Sequence, residues 1–169
     1  FRSVPILTNL FITCCLAYIL FLLAKYKDAK LLLKSSVFFL LVSAAIGPGL
    51  IAHGILKENF GRARPRDIIE FAGDKEFVRA GAISDQCSTN CSFVSGHAAM
   101  AFYFTAIAYV IRQKYFNRIY TLGLLFGSCV GVSRITMGGH FASDVSAAAF
   151  LVLFFNHATY LLWKKIKSR

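Results

Sequence analysis

Residues 119–163 read IYTLGLLFGSCVGVSRITMGGHFASDVSAAAFLVLFFNHATYLLW. Two apolar runs, 119–133 and 142–163, flank a polar joint that holds Arg134, His140 and Asp144. A helix that crosses the hydrocarbon core needs about 20 residues, within a range of about 17–25. The second run meets that length, and the first meets it once Asn117–Arg118 or Ile135–Thr136 joins it. Backbone polar groups cannot stay unpaired in lipid, so both runs read as helices and the joint lies at one membrane face. Each ionisable side chain of the joint would be costly inside the bilayer. Their grouping at a junction therefore calls for a reason.

Working outward, residues 4–24, 35–56 and 96–111 form three further apolar runs. The 169-residue chain is 57% hydrophobic and only 16% charged, whereas soluble domains carry about 25% charged residues. No alternating ten-residue strands suggest a barrel, and there is no internal repeat, low-complexity tract or linker. The expected fold class is all-α: a polytopic membrane bundle of about five transmembrane helices. It forms a single domain over residues 1–169, with one long outer-side loop, 57–95. Run 4–24 does not read as a cleavable signal, because its positive charges follow the apolar stretch.

Charge orients the helices. The segments after runs one, three and five hold eleven basic residues against Asp28 alone; the other side holds eight basic residues and seven acids. The positive-inside rule then predicts an outer N-terminus and a cytoplasmic C-terminus. The basic excess is thus topological, and nucleic acid is not an expected partner. Cys14, Cys15 and Cys129 lie in apolar runs as packing residues. Cys87 and Cys91, in the outer loop, are spaced for a disulfide in an oxidising compartment, with free thiols the alternative. They make a poor zinc site.

Three polar groups fall on the outer face. Lys57 stands at a helix mouth, and Pro65 fixes Arg64 in an extended direction. Alone they read as a snorkelling lysine and a headgroup-binding cluster; together they can hold a phosphate, Arg64 by a bidentate contact. Ser95 is a suitable N-cap, Gly96 leaves the backbone open to a ligand, and His97 stands in the first helical turn. His140 and Asp144 are four apart, on one face if helix begins near Phe141, so Asp144 can orient the imidazole as nucleophile or base. Gly138-Gly139 lets Arg134 turn back towards His140. Two histidines, a carboxylate, three cations and an anion-binding helix end are the parts of a phosphoryl-transfer site that needs no metal.

These residues resemble the type 2 phosphatidic acid phosphatase family, the membrane lipid phosphate phosphatases. Lys57 with Arg64-Pro65, then Ser95-Gly96-His97, then Ser133-Arg134 with His140 and Asp144 match its three motifs in order. The resemblance implies that His140 attacks phosphorus and forms a phosphohistidine, with Asp144 orienting it and His97 serving the leaving oxygen and then water. Lys57, Arg64, Ser95, Gly96 and Arg134 would hold the phosphate, with no metal or cofactor. Many members have six spans, three before the first motif against two here, which implies a helix before Phe1 or a shortened form. Val94 replaces the usual proline, and the segment from Cys91 is most similar to bacterial lipid A 1-phosphatases. That subgroup implies the bacterial inner membrane with a periplasmic site. Phosphatidylglycerol phosphate, phosphatidic acid and polyprenyl diphosphate are the alternative substrates. A phospholipid transporter or non-catalytic lipid-binding protein is the competing class. Transporters place polar groups near the midplane, whereas these gather at one face.

Overall fold

A computed structural model describes residues 34–56 and 59–168. The first apolar run, with Cys14 and Cys15, and Lys57 of the first motif lie outside the described residues. Helix α1 (Ser36–Ala44) is capped by Ser35, whose hydroxyl accepts from the Phe38 N–H at 3.1 Å. It runs on as a wider π-helix, Ala45–Leu56, that contains Pro48. Proline has no N–H and crowds the carbonyl four residues back, so regular α winding cannot pass through it.

Helix α2 (Gly96–Tyr103) continues as a 3₁₀ helix, Phe104–Val110. Helix α3 spans Phe116–Thr136 and helix α4 spans Ala142–Lys167. Among the described residues the chain is all-helical, with one isolated bridge between Ile68 and Lys75. Two helical stretches there are long and apolar enough to cross a membrane, Gln113–Thr136 and Ala142–Lys167; Ser36–Leu50 and Gly96–Val110 are shorter. The run at 119–133 gains residues at both ends, while 96–111 gains none before Gly96 and tightens after Tyr103. Side chains share acceptors at that changeover: the Thr105 hydroxyl donates to Phe102 O at 2.8 Å and Asn156 Nδ2 to Tyr103 O at 3.4 Å.

The main core joins the approach to α2, α2 itself and α4 through Phe93, Val94, Ala98, Phe102, Val145 and Val152. Helix α3 closes on it through Gly123, Gly127 and Gly131, all buried and spaced by four. A Cβ at Gly127 would sit 2.3 Å from the Phe102 ring, and one at Gly131 would sit 2.4 Å from Val145. Small residues permit this close approach where lipid supplies no hydrophobic drive for helices to meet. A second cluster, Phe39, Ala106 and Trp163, fills the other end, where Phe39 lies tilted against Trp163 and meets Tyr109 and Tyr160 edge-on. The described part of the long loop before α2 is held by short 3₁₀ turns at Pro65–Asp67 and Ile69–Phe71 and by a Cys87–Cys91 disulfide.

Candidate active site

The described residues of the three motifs meet at one end of the bundle. The first is tied to the second where the Ser92 N–H donates to Arg62 O at 2.8 Å. Arg64 adds to this link, donating through Nε and Nη2 to Asn90 O at 3.1 and 2.7 Å. The first is tied to the third by Arg66 N–H on Gly138 O at 3.1 Å, and the second to the third by Ser95 N–H on Asp144 O at 3.3 Å. Gly138 takes a positive φ of 62°, which an ordinary side chain resists.

Ser95 caps α2, its hydroxyl oxygen accepting from the Ala98 N–H at 3.5 Å. Gly96 is buried behind it, and His97 is exposed in the first turn. Helix α4 begins at Ala142 with Phe141 as its N-cap, close to the start that a shared face for His140 and Asp144 asks for. His140 therefore belongs to the turn, and Asp144 to the first turn of the helix. Its Oδ2 accepts from the Phe141 N–H at 2.9 Å, satisfying a helix-end donor. The turn is shaped by Gly139 and His140 N–H groups donating to Arg134 O at 3.0 and 3.2 Å.

The orientation of His140 differs from the simple His–Asp pairing. Nδ1 lies 2.7 Å from the carbonyl oxygen of Ser92 and 3.9 Å from Asp144 Oδ2. Asp144 is instead engaged by Arg62, which forms a buried ion pair with Oδ1, and by the Ser92 hydroxyl, which donates to Oδ2 at 2.5 Å. Neither Arg62 nor Ser92 is marked by the family signature. A buried carboxylate needs a paired cation, which is the one clue in sequence that a further arginine must turn inward.

Asp144 is matched by Arg62, and among the described residues no carboxylate forms an ion pair with Arg64 or Arg134. Burial, then the like charges of Arg66 and Arg134, lower the pKa of Arg64, with Asp67 acting the other way. Arg134 lies over the glycine turn, its Nη2 3.0 Å from where a Gly139 Cβ would stand, and its buried Nε has no hydrogen-bond partner. Crowded guanidinium groups with an unpaired buried donor suit an anion. No group of three or more His, Cys, Asp or Glu among the described residues is arranged to hold a metal ion.

Membrane-length helices with a cationic, histidine-bearing cluster at one end have the build of an integral-membrane phosphatase. Residues 36–168 match the PAP2 superfamily. The chain is 35% identical to the lipid A 4′-phosphatase of Francisella tularensis subsp. novicida (strain U112) over 153 residues, 89% of this chain and 69% of that protein. It is 36% identical over 102 residues, 60% of this chain, to the lipid A 4′-phosphatase of Rhizobium etli, and spans 39% of that relative. A lipid A 4′-phosphatase of Rhizobium leguminosarum is 33% identical over 100 residues, 59% of this chain and 43% of that relative. No solved structure matches the chain. The chain belongs to the PAP2 superfamily and is a hydrolase of its lipid phosphatase class. These relatives are named for the 4′ position, not for the 1 position to which the segment from Cys91 pointed.

Proposed function

We propose that this protein removes a phosphate monoester from a membrane lipid headgroup, the 4′-phosphate of lipid A, through a phosphohistidine. The observation that carries the reading is the His140 contact. A carbonyl can only accept, so Nδ1 bears the hydrogen and Nε2 the nucleophilic lone pair. Nε2 attacks phosphorus as the bond to the sugar oxygen breaks, and His97 donates a proton to that oxygen. His97 then takes a proton from water, whose oxygen displaces the histidine and releases inorganic phosphate. Arg64 and Arg134, with Lys57, offset the charge on the phosphoryl oxygens, and Ser95 and the Gly96 N–H add donors at the helix end. The names of the relatives favour the 4′ position. The basic excess of the opposite segments supports a periplasmic site in the bacterial inner membrane.

The test is phosphate release by purified protein, in excess chelator, from lipid A, phosphatidylglycerol phosphate, phosphatidic acid and undecaprenyl diphosphate. Mass spectrometry of the lipid A product locates the lost group. Loss from the 4′ position is expected; loss from the 1 position restores the other subgroup. No release from any lipid by folded protein rejects the reading.

A further inference from the structure

We propose that Arg62 and Ser92 are positioning residues for the nucleophile: Arg62 holds the Asp144 carboxylate off His140, and Ser92 fixes the imidazole through its main-chain carbonyl. The inference rests on His140 being the nucleophile.

Asp144 is fully buried and accepts at both oxygens. Arg62 occupies Oδ1, and the Ser92 hydroxyl and Phe141 N–H share Oδ2. A carboxylate offers about four lone-pair sites. The 3.9 Å separation from His140 Nδ1 is too long for a hydrogen bond. Arg62 is itself only 2% exposed and is fixed from several directions. Its Nε donates to Val78 O at 2.7 Å, Nη1 also reaches Ser143 Oγ at 2.9 Å, and its guanidinium lies 4.0 Å from the Phe141 ring centroid.

Ser92 closes the circuit. Its N–H donates to Arg62 O, its hydroxyl donates to Asp144, and its carbonyl accepts from His140. The charge pair thus acts on His140 through a neutral carbonyl. A bare carboxylate next to the imidazole would favour its protonated, non-nucleophilic form. A carboxylate already matched by a guanidinium does so far less. Among the described residues, the other charged or titratable groups at this end include Arg64, Arg66 and Asp67 of the loop, His97 of α2 and Arg134 of α3.

The decisive experiment is the pH profile of kcat and kcat/KM for wild type, Arg62→Met, Arg62→Lys and the double variant Arg62→Met/Asp144→Asn. Arg62→Met is expected to lower kcat about 100-fold near neutral pH, the scale of a small misplacement of a reacting group, with KM little changed. It should also move the acid limb of kcat/KM to higher pH, because Asp144 then faces His140 uncompensated. Arg62→Lys keeps the charge and should hold the limb near its wild-type position. The double variant removes the carboxylate and should return the limb there. A uniform loss at every pH, with no movement of the limb, would overturn the proposal and leave Arg62 a packing residue.

Should Arg62→Met not fold, Ser92→Ala keeps the carbonyl and removes the hydroxyl, so it should move the limb the same way by less. Side-chain 15N NMR of histidine-labelled wild type, with His140 assigned by its loss in His140→Gln, needs no turnover. An Nδ1-protonated tautomer is expected, and an Nε2-protonated one contradicts the proposal. Lack of activity on every lipid would reject the phosphatase reading while leaving this spectrum to decide the hydrogen bond.

Discussion

Two buried polar clusters sit in this bundle, one at the mouth and one between the helices, and they are finished differently. Between the helices, the Ser43 hydroxyl donates to Asn156 Oδ1 at 2.5 Å, Asn156 Nδ2 donates to Thr105 Oγ1 at 3.0 Å, and Thr105 donates to Phe102 O. That cluster is uncharged and spends its donors on neighbouring acceptors. The mouth cluster is charged. It matches Asp144 with Arg62 and yet leaves the buried Arg134 Nε without an acceptor. A closed neutral network specifies how helices pack; a charged one with a donor left over has room for a ligand. The same physics of polar burial serves packing in one place and chemistry in the other.

The contrast breaks most sharply at His140. His140→Ala is expected to lower kcat at least about ten-thousand-fold, the scale of losing a nucleophile, in protein that still folds. Retained turnover would remove the mouth cluster from the chemistry. Next, Arg64→Ala or Arg134→Ala should each cost about 10²–10³ in kcat, as loss of one transition-state donor does. Orthovanadate or inorganic phosphate should stabilise wild type by about 2.7 kcal/mol at a hundred times Kd. Protein carrying both arginine substitutions should gain much less, and an equal gain would place the anion elsewhere. Asn156→Ala sharpens the comparison from the other side. It should lower stability by about 1–2 kcal/mol, since partners are left unpaired, while kcat of the folded protein is unchanged. A large fall in kcat would mean that the two clusters are coupled.

Much of this was legible in the chain. Runs 119–133 and 142–163 are long and apolar, and the convergence of Arg64, Ser95, Arg134, His140 and Asp144 on one end followed from helices that alternate direction. The winding of 96–111 was not legible, because Asn156 is 53 residues from the Tyr103 carbonyl it takes. Arg62 was hidden for a similar reason: its partner lies 82 residues away, and the neighbouring Arg64 carries the recognisable spacing. Ser92 was hidden more deeply. It holds His140 through a backbone oxygen that every residue possesses, so no side-chain pattern marks it. The four-residue spacing does bring Asp144 beside His140, Oδ2 3.9 Å from Nδ1. No spacing could show that Ser92 O lies closer to Nδ1, or that Arg62 and the Ser92 hydroxyl engage the carboxylate.

The glycine ladder of α3 has a bearing on association between chains. Gly123, Gly127 and Gly131 repeat at the interval that, in a lone membrane helix, forms a seam for pairing with a second copy. Here Thr105, Phe102 and Val145 of the same chain already occupy that seam. A second copy would have to displace the bundle's own core to use it, so self-association, where it occurs, belongs to another surface of the protein.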